Sequence, residues 1–198
     1  MKKLTALFTA IIAVSLVAFK PIAPVTYKVD TQKSSIQWTG KKVLGSHTGT
    51  IKLASGAIAT NGKVPTTGTF VIDMNSMDNT DLTDADSKGK LLGHLKSDDF
   101  FGVSKYPTAT FQATKITPAG AGEVNVTGKL TIKGKTDVVT FPAKYVVTGN
   151  TLTVSANEVK VNRTKYDIKY GSKSFFESIG DKAIDDEFLL NINLVATR

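Results

Sequence analysis

The feature that most constrains this chain is strict alternation near its end. Ile184, Asp186, Phe188, Leu190, Ile192, Leu194 and Ala196 share one parity, and Asp185, Glu187, Asn191 and Asn193 fall between them. Successive side chains of a strand point to opposite faces, so this is the pattern of a half-buried antiparallel strand. The same period recurs upstream. Val139, Phe141, Ala143, Tyr145 and Val147 form one face, and Val124, Val126, Gly128, Leu130 and Ile132 another. Ile36 with Trp38, Thr50 to Ala59, Phe70 with Ile72 and Met74, Thr108 to Ile116, and Thr151 to Val161 complete a set of about eight strands. Gly134-Lys135 and Gly149-Asn150 read as tight hairpin turns. Short joints make sequence neighbours into spatial neighbours, which is up-and-down order.

Strands with one apolar face each must bury those faces, and a closed barrel does so while leaving no free edge. The expectation is an all-β, lipocalin-like, eight-stranded antiparallel up-and-down barrel with one or two short helices. An eight-stranded interior either fills with side chains or holds one small ligand. Gly128, Ala113, Ala143 and Ala156 stand at inward positions among Phe, Leu and Ile. They leave room for a ligand unless large partners from elsewhere fill it. A tail burying roughly 400 Å² at about 25 cal/mol/Å² would gain about 10 kcal/mol, against an association cost of at least about 4 kcal/mol.

Two segments break the β rhythm. Asp81 to Lys96, with Leu82, Leu91, Leu92 and Leu95, has acids early and Lys96 late, as a short helix prefers; Gly89 and Gly93 weaken it. Tyr170 to Asp181 carries Phe175, Phe176 and Ile179, either as a lid or as a staple onto the barrel.

The N-terminus reads as a secretory leader, residues 1–23, ahead of a single domain at 24–198. Lys2 and Lys3 precede 16 uncharged residues, Leu4 to Phe19. That run is short of the roughly 20 apolar residues of a spanning helix, although an uncleaved anchor is the alternative. The expected address is periplasmic or secreted. With no cysteine, the domain rests on its core rather than on disulfides. The formal charge is +8, about +5 once Lys2, Lys3 and Lys20 leave. The surplus is spread as single lysines, which argues against nucleic acid and leaves room for transient contact with an anionic membrane surface.

Catalytic and metal signatures fail one by one. Two histidines, His47 and His94, and no thiols offer no zinc spacing. Asp84-x-Asp86-x-Lys88-Gly89 opens like a calcium loop, but Leu95 stands where the bidentate Glu belongs. Gly134-Lys135-Thr136 lacks the upstream glycine of a phosphate loop, and no Gly-x-Ser-x-Gly elbow occurs. His94 beside Ser97 could form a dyad, yet such a pair is common by chance. We expect no metal, no cofactor and no enzyme.

Several stretches together resemble one family. Tyr27-x-Val29-Asp30 with Ser35-x-x-Trp38, His94-Leu95-Lys96-Ser97-Asp98-Asp99-Phe100-Phe101 with Tyr106-Pro107-x-x-x-Phe111, and Val126-Thr127-Gly128-Lys129-Leu130-Thr131-Ile132-Lys133-Gly134-Lys135-Thr136 are similar to motifs of the YceI-like family, bacterial lipid- and polyisoprenoid-binding proteins. The resemblance runs from about Tyr27 to Ala196. It implies a barrel with a long apolar tunnel, an exported address, and an isoprenoid quinone, prenyl phosphate or fatty amide as ligand; a homodimer would be in keeping with it. Family members often carry Arg-Asp ahead of the His-Leu pair, where this chain has Leu92-Gly93. The family's head-group contacts therefore do not transfer directly.

The expected tunnel wall is Trp38, Phe70, Ile72, Phe100, Phe101, Phe111, Leu130, Phe141, Phe188 and Leu190, residues that would equally serve as core. For the head group, His94, Lys96 and Arg163 are candidates, since a polar head needs donors near an entrance. Tyr166 and Tyr170 join them from Asn162-Arg163-Thr164-Lys165-Tyr166 and the residues after it. Ordinary surface charge is the competing role for each charged residue.

Overall fold

Among the described residues there are nine strands and one α-helix; eight of the strands follow the alternating segments, and the first, Val25–Val29, lies ahead of all of them. The computed structural model describes residues 23–176 and 180–198. The expected leader, apart from Ala23, and Ile179 lie outside the described residues. The strands are β1 (Val25–Val29), β2 (Ser35–Lys42), β3 (Gly45–Asn61), β4 (Val64–Asn79), β5 (Thr108–Gly120), β6 (Glu123–Ile132), β7 (Lys135–Thr148), β8 (Thr151–Asn162) and β9 (Glu187–Thr197). Every pairing is antiparallel. Sequence neighbours pair from β2 through β9, and β2 pairs back onto β9 to close the ring.

The closed barrel has eight staves, and the ninth strand subdivides one of them. β1 lies beside Ala57–Thr60 of β3 and Ala196–Thr197 of β9, while β2 lies beside Gly45–Ile51 and Leu189–Asn193 of those same strands. β1 and β2 are thus two collinear pieces of one stave. The break between them is a turn in which Asp30 accepts hydrogen bonds from the Gln32 and Lys33 amides.

Chain direction sorts the connections between the two ends. At one end, three connections are two-residue turns, at Gly62-Lys63, Ala121-Gly122 and Gly149-Asn150. The other end carries the long excursions: the β4–β5 link with helix α1 (Ala85–Lys96), and the β8–β9 link, which holds 3-10 turns at Arg163–Tyr166 and Gly180–Lys182. Asp84 caps α1, accepting from the Ser87 amide at 2.8 Å. The helix therefore starts four residues later than Asp81, and Asp81 serves another purpose described below. The β6–β7 turn also differs from expectation by one residue. Its corners are Lys133 and Gly134, at φ 49° and 71°, the paired positive angles of the turn type that matches strand twist.

One expectation about space is corrected. Gly128 does not leave a gap for a ligand. A Cβ there would stand 2.3 Å from the Phe111 ring and 2.7 Å from the Gln112 carbonyl oxygen. The ring occupies the space that a Cβ would need. At Gly49 Trp38 shares that space with the Asp78 carbonyl oxygen, and at Gly56 Phe70 shares it with Val29. Each pair keeps an aromatic ring against the wall instead of across the lumen. We predict that Gly128→Ala lowers stability by about 2–3 kcal/mol in urea denaturation, because the backbone oxygen cannot yield and the ring must. In a Phe111→Ala background the cost should fall by more than half; equal costs in both backgrounds would show that the ring is not what the glycine accommodates.

Candidate functional site

The inward side chains enclose a cavity of ≈ 380 Å³ that extends along the barrel, within the usual range of small-molecule sites. Its wall is almost wholly aliphatic and aromatic. All ten residues expected as wall border it: Trp38, Phe70, Ile72, Phe100, Phe101, Phe111, Leu130, Phe141, Phe188 and Leu190. Their rings contact neighbours along the wall. Phe70 and Phe111 have centroids 6.2 Å apart, Phe111 and Phe141 5.8 Å, and Phe101 meets Phe188 edge-on at 6.3 Å. Ala113, Ala143 and Ala156 also border the cavity, so at these positions a small side chain does leave open space.

Met74, on the face of Phe70 and Ile72 but not among the expected wall residues, is joined by Met77, which parity does not reach. Both are buried and border the cavity. They sit where β4 bulges between its Asp73–Lys52 and Asp78–Thr50 pairings, so simple alternation could not place Met77. Unbranched thioethers give this part of the wall a shape that adjusts easily.

Polar groups gather at the end with the long excursions. Lys41, Lys42, His47, His94, Arg163, Asp185 and Glu187 all border the cavity there. The sequence offers His47 only as a metal ligand. Its parity with Gly49 and Ile51 on β3 was the signal that would have placed it inward. His47 Nδ1 lies 2.8 Å from Asp81 Oδ2, while Asp81 Oδ1 accepts from the Thr48 amide and from buried Asn79. Burial raises the Asp81 pKa, but the hydrogen bonds from His47, Thr48 and Asn79 outweigh it and hold the carboxyl below its ordinary value. An ionised carboxylate only accepts, so Nδ1 carries the proton and Nε2 remains for other partners.

The five head-group candidates separate. His94 borders the cavity, lies 3.2 Å from Asp99 through Nε2, and meets Phe100 and Tyr170 edge-on at 4.9 and 4.6 Å. Tyr170 covers the outer side of this aromatic group and does not border the cavity; it is 47% exposed. Lys96 also lies off the cavity, its Nζ donating to the Asn75 carbonyl at 2.9 Å. Tyr166 is buried away from it, with a hydroxyl that has no hydrogen-bond partner. Burial, with Asp137 nearby, pushes that hydroxyl up to about 12.

Arg163 touches the cavity edge, but its donors are already engaged. Nε donates to the Asp185 carbonyl, Nη1 to the Ile168 and Tyr170 carbonyls, and Nη2 to the Ile184 carbonyl, all at 2.7–2.9 Å. Nη2 also stands 3.5 Å from Asp186. A planar fork with five donors suits this role as ammonium does not. Arg163 therefore ties the β8–β9 excursion together rather than offering a free charge to a head group.

Asp186 completes that tie. Burial raises its pKa, but hydrogen bonds from Ser172 and Ser174 and the Arg163 charge prevail and lower it. A carboxyl with a lowered folded pKa stabilises fully above its unfolded value, about pH 4, and loses that contribution as pH falls through the folded value. We predict that thermal stability declines as the solution is acidified below about pH 4, and that Asp186→Asn, less stable at neutral pH, declines less steeply there. Parallel curves for the two proteins would remove Asp186 from the acid response.

Among the described residues, no group of three or more His, Asp or Glu side chains is arranged to hold a metal ion.

The profile of the YceI-like domain matches residues 27–196. A UPF0312 protein of Vibrio parahaemolyticus serotype O3:K6 (strain RIMD 2210633) is 44% identical over 57 residues, 29% of this chain. That match spans 30% of the relative's own length. Among solved structures, BcnA of Burkholderia cenocepacia superposes with a TM-score of 0.69 at 29% identity, covering 85% of this chain and 99% of its own. A polyisoprenoid binding domain from Saccharophagus degradans, implicated in plant cell wall breakdown, gives 0.65 at 19% identity, covering 86% and 97%. At that identity the likeness speaks for the fold.

Proposed function

This chain belongs to the YceI-like family, and from that premise we propose that it carries or stores an amphiphilic long-chain lipid, tail inward, with its head among the polar groups of the cavity mouth. The observation that carries this reading is the cavity itself, apolar along its length and polar at one end. A tail gains from leaving water along such a wall, and a head group keeps hydrogen-bond partners at its rim. The Saccharophagus degradans domain, described as polyisoprenoid binding, supports an isoprenoid tail. Isoprenoid quinones, polyprenyl phosphates and fatty amides all have the required shape. His47 and His94 are the rim groups best suited to meet the head. The role is that of a binding protein, not a catalyst.

The basic, then uncharged N-terminus supports export to the periplasm or beyond, with the leader removed. Mass analysis of the intact protein from each cell fraction reads both points.

Organic extraction and native mass spectrometry test the main reading. The expected result is one long-chain apolar molecule per chain. A stoichiometric water-soluble metabolite, or a chain that neither retains nor takes up lipid, would overturn it.

A further inference from the structure

The cavity mouth is flanked by apolar side chains that face water. Leu44, at the tip of the β2–β3 hairpin, is 70% exposed, with Val43 beside it; Phe175 and Phe176 on the β8–β9 excursion are each about half exposed. Backbone hydrogen bonds join these segments. The Val43 amide donates to Ala183, the Ile184 amide to Gly171, and the Phe175 and Phe176 amides to Ser172. Ile184 borders the cavity. The apolar tips and the opening thus belong to one connected part of the fold, and exposed apolar side chains brought together mark an interaction site.

Charge says what covers them. Lys41 and Lys42 precede the hairpin tip, Lys173 precedes the Phe pair, and Lys169 stands 5.1 Å over the Phe175 ring. Lys169 and Asp167 offset each other, as do Lys160 with Glu187 and Arg163 with Asp186; Lys41, Lys42 and Lys173 then stand against Asp181 and Asp185 on the surface. A second copy related by a two-fold axis would set these lysines against one another. Anionic head groups would meet the lysines while the tips enter the acyl boundary.

We propose that the mouth end docks on a bilayer surface containing anionic phospholipid, so that a lipid passes between membrane and cavity without crossing water. The purpose of docking rests on the lipid-carrier reading; the docking itself does not.

The test uses the full chain, whose lack of cysteine allows a single fluorescent label. An environment-sensitive dye is attached at Leu44→Cys, and in a second protein at Val146→Cys near the opposite end of the barrel. With vesicles of phosphatidylethanolamine and phosphatidylglycerol, the dye at 44 should shift to the blue and be quenched by brominated lipid, while the dye at 146 stays in water. In unlabelled protein, Leu44→Ser with Phe175→Ser and Phe176→Ser should lower vesicle partitioning by at least about 30-fold. Lys42→Gln with Lys173→Gln should lower it by about 25-fold on these vesicles, with little change on phosphatidylcholine.

A silent label at 44 overturns the proposal. So does an equal response at 44 and 146, which would mean adsorption through another part of the chain. A shift at 44 that follows protein concentration without vesicles would assign the surface to a second copy. Docking by a chain that holds no lipid would retain the proposal and overturn the carrier reading, so the two fail separately.

Discussion

Ala156→Trp should leave the barrel folded and empty. Ala156 is buried near the middle of β8, borders the cavity, and pairs across with Ile192 on the next strand. A side chain added there grows into open space, unlike one added at Gly128, which meets a ring and a carbonyl. The cost of overpacking should therefore be small, with unfolding free energy within about 1 kcal/mol of the parent. The ligand loses what the indole takes. Denying it roughly 200 Å² of wall at about 25 cal/mol/Å² removes about 5 kcal/mol, more than about 1000-fold in affinity. Extraction followed by native mass spectrometry, beside a melting curve, reads both quantities. Unchanged lipid stoichiometry in a folded Ala156→Trp protein would mean that the ligand does not lie in this cavity.

The second large effect is on stability and comes from Arg163. Arg163→Ala leaves four carbonyl oxygens without the donor they now share, and leaves Asp186 beside no positive charge. Breaking a buried ionic group by removing one partner costs about 3–5 kcal/mol. For a domain of this size that is a fall of about 6–20 °C in melting temperature. Hydrogen exchange should accelerate first in residues 163–176 and 180–186. Arg163→Lys should recover little, since an ammonium cannot span four carbonyls on two separate segments. The opposite pattern, with Arg163→Lys as stable as the parent but poor in lipid, would return Arg163 to the head-group site.

The two predictions separate what the wall does from what the mouth does, and legibility divides along the same line. Phe70 and Ile72, or Phe188 and Leu190, could be assigned inward from parity alone, because a strand offers only two faces. Where the chain leaves regular structure, parity ends. Arg163 and Tyr166 read as mouth residues, yet one is engaged by carbonyls of residues five to twenty-two positions away and the other is buried off the cavity. His47 was readable on β3, but its Asp81 partner came from the far side of a hairpin and a bulge. Met77 sits within that bulge, where the count of residues no longer predicts the face.

Local pattern alone thus determined eight of the strands, their order and, outside the β4 bulge, their inward faces, since alternation and short turns leave an antiparallel chain few other ways to bury its apolar side. Tertiary structure decided whether the interior would be solid or hollow. That choice depended on rings settling over Gly49, Gly56 and Gly128 and on which small residues were left uncovered, relations between strands that no single stretch of chain contains. It also decided which polar side chains keep donors for a ligand, because hydrogen-bond partners are set by the folding together of distant segments.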